Sequence, residues 1–254
     1  MLGALGFRLL GTRTGLGRTF DFEAVLHGLS LYGRERNSSN ALLVAVSSTS
    51  FVLFGGLLIG TALLRRRLDL AVAAALTLGG SFATTELLKK TLPTREGVPD
   101  SLANGFPSGH STVALALGLA YVLLAPERFR KPVVSGAIVY AAAMGAVLVL
   151  YAWHFPSDVG GGFCVATAWA AAAAQLVRRP SENTVPAVVL AAAAVLVAIA
   201  AVAALDLRPG ITFTLSSRHR LLEAAVGIAL VASACCVAFA YAIAARSAAA
   251  TRSR

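Results

Sequence analysis

Charged residues are scarce in this sequence. Only 13% of its 254 residues are Asp, Glu, Lys or Arg, whereas about 25% is usual for a soluble domain. Hydrophobic residues make up 57% of the chain and the mean hydropathy is +0.75. They occur in runs of about 20 residues, the length that crosses a bilayer. These features exclude an ordinary soluble domain and predict an all-α, polytopic transmembrane helical bundle.

Acidic residues are the rarer of the two charge classes, with 12 against 22 basic residues and a net charge of +10. In a soluble protein this excess would suggest nucleic acid as a partner. Here the basic residues lie in short loops between apolar runs, which is typical of cytoplasmic loops. No basic face with interleaved aromatic residues occurs either. We therefore predict the lipid bilayer as a partner and no nucleic acid; no oligomeric state is predicted.

Cysteines are also few. Cys164, Cys235 and Cys236 lie inside apolar runs, their number is odd and two are adjacent, which argues against a disulfide framework or a zinc site. Carboxylates do not cluster in the way that magnesium requires. No metal or other cofactor is therefore expected.

The apolar runs divide the chain into three parts. We predict an N-terminal tail at 1–40, a transmembrane core at 41–180, and two additional helices with a basic tail at 181–254. We predict about six to seven spans, and the candidate spans lie at about 41–64, 68–88, 108–124, 133–153, 156–177, 185–205 and 221–245.

The N-terminal tail contains an amphipathic pattern. Phe22, Val25, Leu26 and Leu29 recur at helical spacing, and Asp21 is expected to flank this face or point away from it. This predicts an interfacial amphipathic helix, with a solvated surface helix as the alternative.

The span order places the polar loops 89–107, 154–156 and 206–220 on one side of the membrane. Eleven Lys and Arg residues fall on the opposite side, against six in loops 89–107 and 206–220. Because short basic loops stay in the cytoplasm, the polar loops should face outward. His110, at the start of one span, should therefore meet His154 and the cations Lys89, Lys90 and Arg95.

Two polar clusters can carry chemistry. Ser108 is a good N-cap for the apolar run that follows, and the free amides of a helix start bind anions. His110 lies within that first turn and can exchange protons near neutral pH. His154 and Asp158 are four residues apart, so the carboxylate can orient the imidazole. One imidazole can attack phosphorus while the other acts as acid and base.

These residues resemble the type 2 phosphatidic acid phosphatase superfamily of membrane lipid phosphatases. Its pattern is Lys-x6-Arg-Pro, then Pro-Ser-Gly-His, then Ser-Arg-x5-His-x3-Asp. The tetrad Pro107-Ser108-Gly109-His110 matches the second block, and His154 and Asp158 match the third. The resemblance covers about residues 20–178.

The resemblance implies a catalytic role for three residues. His154 would be the nucleophile that forms a phosphohistidine, Asp158 would orient it, and His110 would be the general acid and base. The substrate would be a membrane lipid phosphate, such as a polyprenyl (pyro)phosphate or a glycerolipid phosphate. The protein would be a multi-pass protein of the plasma (inner) membrane, with its active site facing the periplasm or exterior.

The resemblance also implies a phosphate-binding set. Ser108 and the Gly109 amide would bind phosphate oxygens, together with Arg95 and one of the two lysines, Lys89 or Lys90. The spacing leaves the choice of lysine open, because Lys89 lies six residues before Arg95 and Lys90 five, whereas the family has seven. No proline follows Arg95.

The third block departs from the family pattern. Its Ser-Arg pair falls at Val147 and Leu148, so one expected phosphate-binding arginine is missing. Losing such a contact weakens binding by roughly ten- to a hundredfold. Arg218, His219 and Arg220 could replace it, although headgroup-facing loop residues are the simpler interpretation. The departure keeps open a catalytically silent relative that binds lipid phosphates or acts as a scaffold. A small transporter is a third alternative.

Overall fold

The structure is a computed structural model that describes residues 2–32, 48–98, 100–103, 105–177, 223, 225–236 and 239. These residues form helices and connecting turns, and no strand occurs among them, as the sequence predicts. The helices are α1 (Leu2–Arg13), α2 (Gly15–Tyr32), α3 (Ser48–Leu64), α4 (Leu68–Thr91), α5 (Asp100–Ala103), α6 (Gly109–Leu124), α7 (Glu127–Leu150), α8 (Pro156–Ala174) and α9 (Ala225–Cys236).

The helix boundaries follow the apolar runs. The predicted runs 68–88, 108–124, 133–153 and 156–177 correspond to α4, α6, α7 and α8. Two helices of the described part, Leu68–Thr91 and Arg128–Leu150, are long and apolar enough to cross a membrane. The run 185–205 lies outside the described residues, as does loop 206–220. The total of six to seven spans therefore stays a prediction.

Helix α6 lies at the centre of the described helices. Its residues 111–120 are all buried, between α7 and α8 with α4 alongside. Small side chains allow this close approach. At Gly118, for example, an added Cβ would lie only 2.7 Å from the Cβ of Ala137 on α7. The central position of α6 fixes where its N-terminal turn, with His110, lies in the bundle.

Helix α4 carries a π-helical segment at Leu76–Gly80. The indole of Trp169 on α8 covers this segment, since an added Cβ at Gly80 would lie 2.4 Å from the ring. The indole Nε1 also donates a hydrogen bond to Thr84 Oγ1 at 2.9 Å. This contact ties α8 to α4, the helix that ends with Lys89 and Lys90 in its last turn.

Residues 2–32 of the N-terminal tail are helical apart from a bend at Thr14, but the expected position of Asp21 in the second helix is wrong. In α2, Val25 is 3% exposed and Leu26 is 57% exposed. Asp21, which we expected to flank or face away from the apolar side, is only 2% exposed. The reason is electrostatic, because this carboxylate finds buried partners on the core that offset the loss of water. An interfacial location of α2 stays a prediction.

Candidate active site

The first turn of α6 has free backbone amides, the donors that an anion site requires. Ser108 is its N-cap, and the Ser108 Oγ accepts a hydrogen bond from the Ser111 amide at 3.4 Å. The Thr112 amide donates to the Ser108 carbonyl at 3.1 Å. This capping leaves the amides of Gly109 and His110 as donors at the positive end of the helix dipole.

The N-terminal ends of α6 and α8 lie side by side. The Ser108 amide donates to the Asp158 carbonyl at 3.0 Å. Further along α8, Gly162 faces the same turn of α6, and an added Cβ there would lie 2.8 Å from the Ser108 carbonyl oxygen. The absence of a side chain at Gly162 thus allows the two helices to approach closely. This contact brings the two histidine clusters to one end of the bundle.

The turn between α7 and α8 positions His154. The backbone amides of Trp153 and His154 both donate to the Leu148 carbonyl, at 2.9 and 3.2 Å. Ala152 adopts a left-handed conformation with φ of +52°, which reverses the chain. The His154 and His110 ring centroids are then 6.5 Å apart. The Trp153 ring also lies 6.5 Å from His110; sequence reasoning did not include this residue in the site.

Asp158 lies on the Nδ1 side of the His154 ring. Its Oδ2 is 3.7 Å from His154 Nδ1 and accepts a hydrogen bond from the Phe155 amide at 3.2 Å. The first distance is longer than a hydrogen bond, although such contacts commonly tighten when substrate binds. Gly105 leaves room for the pair, because an added Cβ would lie 2.7 Å from Asp158 Oδ2 and 3.2 Å from His154 Nδ1. The spacing-based pairing of His154 with Asp158 therefore has matching geometry.

The structure distinguishes the two candidate lysines. Lys89 Nζ would lie 3.2 Å from a Cβ added at Gly109, so its ammonium group is next to the first turn of α6. It also forms an ion pair with Glu86 at 3.2 Å. Lys90 is exposed at the helix surface. Of the two, Lys89 is the cation that accompanies the tetrad.

Arg95 is brought to the same end of the bundle, but its guanidinium is engaged by protein groups. Nη1 donates to Asp21 at 3.0 Å, and Nη2 donates to Ser157 Oγ at 2.6 Å and to Asp158 Oδ1 at 2.8 Å. The guanidinium also lies 4.2 Å from the Phe155 ring centroid, and the side chain is only 4% exposed. A direct contact of Arg95 with phosphate stays a prediction.

Asp21, which sequence reasoning missed, belongs to the same buried cluster as Arg95, Ser157 and Asp158. Its Oδ1 accepts from the Ser157 amide at 3.1 Å, and its Oδ2 accepts from the Ser157 hydroxyl at 2.5 Å. Burial raises the pKa of the Asp21 carboxyl, while the hydrogen bonds from Ser157 and the charge of Arg95 oppose this rise. The sequence does contain a sign of this role. Asp21 is an acidic residue in a largely apolar segment, and a carboxylate that is buried there needs polar partners.

The apolar pair in place of the expected Ser-Arg is part of the hydrophobic core. Leu148 is fully buried and Val147 packs against the same cluster. Positions 147 and 148 therefore provide no cation for phosphate binding. The three residues considered as a replacement, Arg218, His219 and Arg220, lie outside the described residues.

Comparison with known proteins gives one match. Residues 70–182 match the family model described as the PAP2 superfamily. This range runs from α4 past the end of α8 and includes the tetrad at 107–110, His154 and Asp158, whereas α1, α2 and α9 lie outside it. No curated protein and no solved structure matches the chain.

Proposed function

We propose that this protein removes phosphate from a membrane lipid (pyro)phosphate through a phosphohistidine. The match of residues 70–182 to the PAP2 superfamily, a phosphatase-type hydrolase family, supports this proposal. One observation carries the proposal: His110 and His154 lie 6.5 Å apart, ring centroid to ring centroid, and Asp158 lies on the Nδ1 side of His154. A phosphoryl group between the rings can contact both of them.

The first half-reaction forms the phosphoenzyme. Because Nδ1 of His154 faces Asp158, Nε2 is the nitrogen that attacks phosphorus. A P–N bond forms, the P–O bond to the lipid breaks, and protonated His110 gives its proton to the departing oxygen. The ammonium group of Lys89 and the amides at the start of α6 stabilise the negative charge on the phosphoryl oxygens.

The second half-reaction releases phosphate. His110, now neutral, accepts a proton from a water molecule whose oxygen attacks the phosphohistidine. The P–N bond breaks, inorganic phosphate leaves, and both histidines return to their starting states. We propose that Ser108, Gly109 and Lys89 hold the phosphate, with Lys89 favoured over Lys90 by its position beside Gly109. The guanidinium of Arg95 is engaged by Asp21 and Asp158.

A lipid substrate is supported by the surface of the bundle. The outward side of α3 exposes Val52, Leu53, Leu57 and Leu64, each more than 60% exposed. Contiguous apolar surface of this kind marks contact with a membrane or a partner. We propose that the protein lies in the plasma (inner) membrane with the site facing the periplasm or exterior. A polyprenyl (pyro)phosphate or glycerolipid phosphate could then reach the site from the bilayer.

The proposal is tested by phosphate release from the purified, detergent-solubilised full-length protein with chelator present. The substrates are polyprenyl phosphate, polyprenyl pyrophosphate and phosphatidic acid. His154→Ala and His110→Ala should abolish release, whereas the matched control His27→Ala, outside both motifs, should retain it. Rapid quenching with a ³²P-labelled substrate should give an acid-labile phosphoprotein that is absent in His154→Ala. Folded wild type that releases no phosphate from any of these lipids would sink the proposal.

That last outcome would favour the second candidate, a silent relative that binds lipid phosphates. Two observations support this alternative: Leu148 replaces a phosphate-binding arginine, and Arg95 is engaged by two carboxylates. A silent relative would bind vesicles that contain lipid phosphate and release nothing. Its binding would fall in Lys89→Ala.

A further inference from the structure

A buried cluster joins the N-terminal helix α2 to the candidate catalytic pair. Arg95 forms ion pairs with Asp21 at 3.0 Å and with Asp158 at 2.8 Å, and all three side chains are at most 4% exposed. With both carboxylates ionised, these three groups carry one positive and two negative charges, and the nearby buried Arg8 of α1 adds a second positive charge. Without the charge of Asp21, the two arginines would face Asp158 as the one remaining carboxylate of this group.

The two carboxylates engage different nitrogens of the guanidinium. Nη1 is held by Asp21, and Nη2 donates to Oδ1 of Asp158. The other oxygen of Asp158, Oδ2, accepts a hydrogen bond from the Phe155 amide at 3.2 Å and lies on the His154 side, 3.7 Å from Nδ1. Arginine and carboxylate otherwise favour a two-pronged pair that uses both oxygens.

We infer that Asp21 is a positioning residue for the proposed reaction, holding Arg95 so that Asp158 Oδ2 stays available to His154. The inference deepens the proposed function and rests on it. It also gives Arg95 a role in orienting Asp158 in place of direct phosphate contact. The N-terminal helices, which lie outside the family match, thereby become part of the catalytic machinery.

Ser157 and Phe155 fix the geometry of this cluster. The Ser157 amide and hydroxyl both donate to Asp21, which anchors the carboxylate to the first turn of α8, next to Asp158. The Phe155 ring supports the guanidinium from one side at 4.2 Å, a favourable cation–π distance. Asp21 is therefore held at a fixed position next to Arg95 and Asp158.

The test compares Asp21→Asn, which removes the charge at nearly constant shape, with Asp21→Glu, which keeps it. Asp69→Asn is the matched control, because Asp69 forms an ion pair with Arg67 that is partly exposed. Removing a group that supports a catalytic residue typically lowers activity by about ten- to a hundredfold. We expect Asp21→Asn to lower kcat and the rate of phosphohistidine formation by that factor, with KM changed less than about threefold. Asp21→Glu should recover part of the loss, and Asp69→Asn should match wild type.

Two kinetic results would overturn the inference. If Asp21→Asn only lowers the melting temperature and keeps kcat per folded molecule, Asp21 is merely structural. If the change falls on KM with kcat constant, Arg95 contacts the phosphate directly. Should Asp21→Asn fail to fold, Ser157→Ala replaces it, since it removes the hydroxyl shared by Asp21 and Arg95. A wild-type kcat in Ser157→Ala would equally contradict the inference.

A spectroscopic measurement separates this inference from the proposed function. The chain has four histidines, so ¹⁵N-histidine NMR of the full-length protein is simple to assign, with His154→Ala identifying the His154 signals. In Asp21→Asn, Arg95 can take both oxygens of Asp158, and the ring nitrogens of His154 should change their signals. Unchanged His154 signals would refute the inference even if the wild type releases no phosphate.

Discussion

Gly162 provides a sharp test of the contact between α6 and α8. A Cβ added at this position would lie 2.3 Å from Ser111 Oγ and 2.8 Å from both the Ser108 carbonyl oxygen and Thr112 Oγ1. The hydroxyl groups can rotate, but the carbonyl oxygen cannot. Ordinary contact begins near 3.4 Å, so Gly162→Ala requires the two helices to separate by at least about 0.6 Å at the carbonyl contact.

This displacement should reach the catalytic pair. Asp158 lies one turn before Gly162 on α8, and its carbonyl accepts the hydrogen bond from the Ser108 amide. A misplacement of about 1 Å can lower a rate by roughly a hundredfold. We therefore expect Gly162→Ala to lower phosphate release about tenfold or more. Overpacking should cost about 1–3 kcal/mol of stability, of which the better helix propensity of alanine offsets about 0.5–1 kcal/mol.

The assay combines phosphate release with thermal unfolding of the detergent-solubilised protein. Gly136→Ala on α7 is the matched control, because an added Cβ there meets nothing within 4 Å. It should keep full activity and gain up to about 1 kcal/mol of stability. Wild-type activity and stability in Gly162→Ala would refute the reasoning that this contact sets the geometry of the site.

Two further substitutions test the phosphate-binding side and the space around the catalytic pair. Lys89→Ala should raise KM about ten- to a hundredfold, since a charged contact to phosphate is worth roughly 1.5–3 kcal/mol. Lys90→Ala should change KM little. Equal effects of the two substitutions would contradict the assignment of Lys89 as the phosphate-binding lysine. Gly105→Ala should lower kcat more than it changes KM, because the added Cβ lies 2.7 Å from Asp158 Oδ2 and displaces the carboxylate from His154. Unchanged kcat would contradict that geometry.

The sequence predicted those features of the structure that depend on residues close together in the chain. The apolar runs predicted α4, α6, α7 and α8 because burial in lipid or protein needs continuous apolar stretches. Ser108 was recognisable as an N-cap because capping depends on a few neighbouring residues. The four-residue spacing of His154 and Asp158 predicted their pairing, although His154 lies just before α8 and not within a regular helical turn.

Long-range partners were beyond sequence reasoning. The spacing to Arg95 could not distinguish Lys89 from Lys90, because the choice depends on the rotation of α4 against α6. We expected Asp21 to flank the apolar face of its helix or point away from it, because helical periodicity describes one helix at a time. Its partners, Arg95 and Ser157, lie 74 and 136 residues away in the sequence.

The amino-acid sequence by itself determined the helical architecture and the chemical identity of the two histidine clusters, since both follow from short-range periodicity, capping and residue type. Only the tertiary structure decided which charges meet. Ion pairing depends on distances between side chains on different helices, and those distances are set by the packing of glycines such as Gly162 and Gly105. For that reason Arg95, expected as a phosphate ligand, is found between two buried carboxylates.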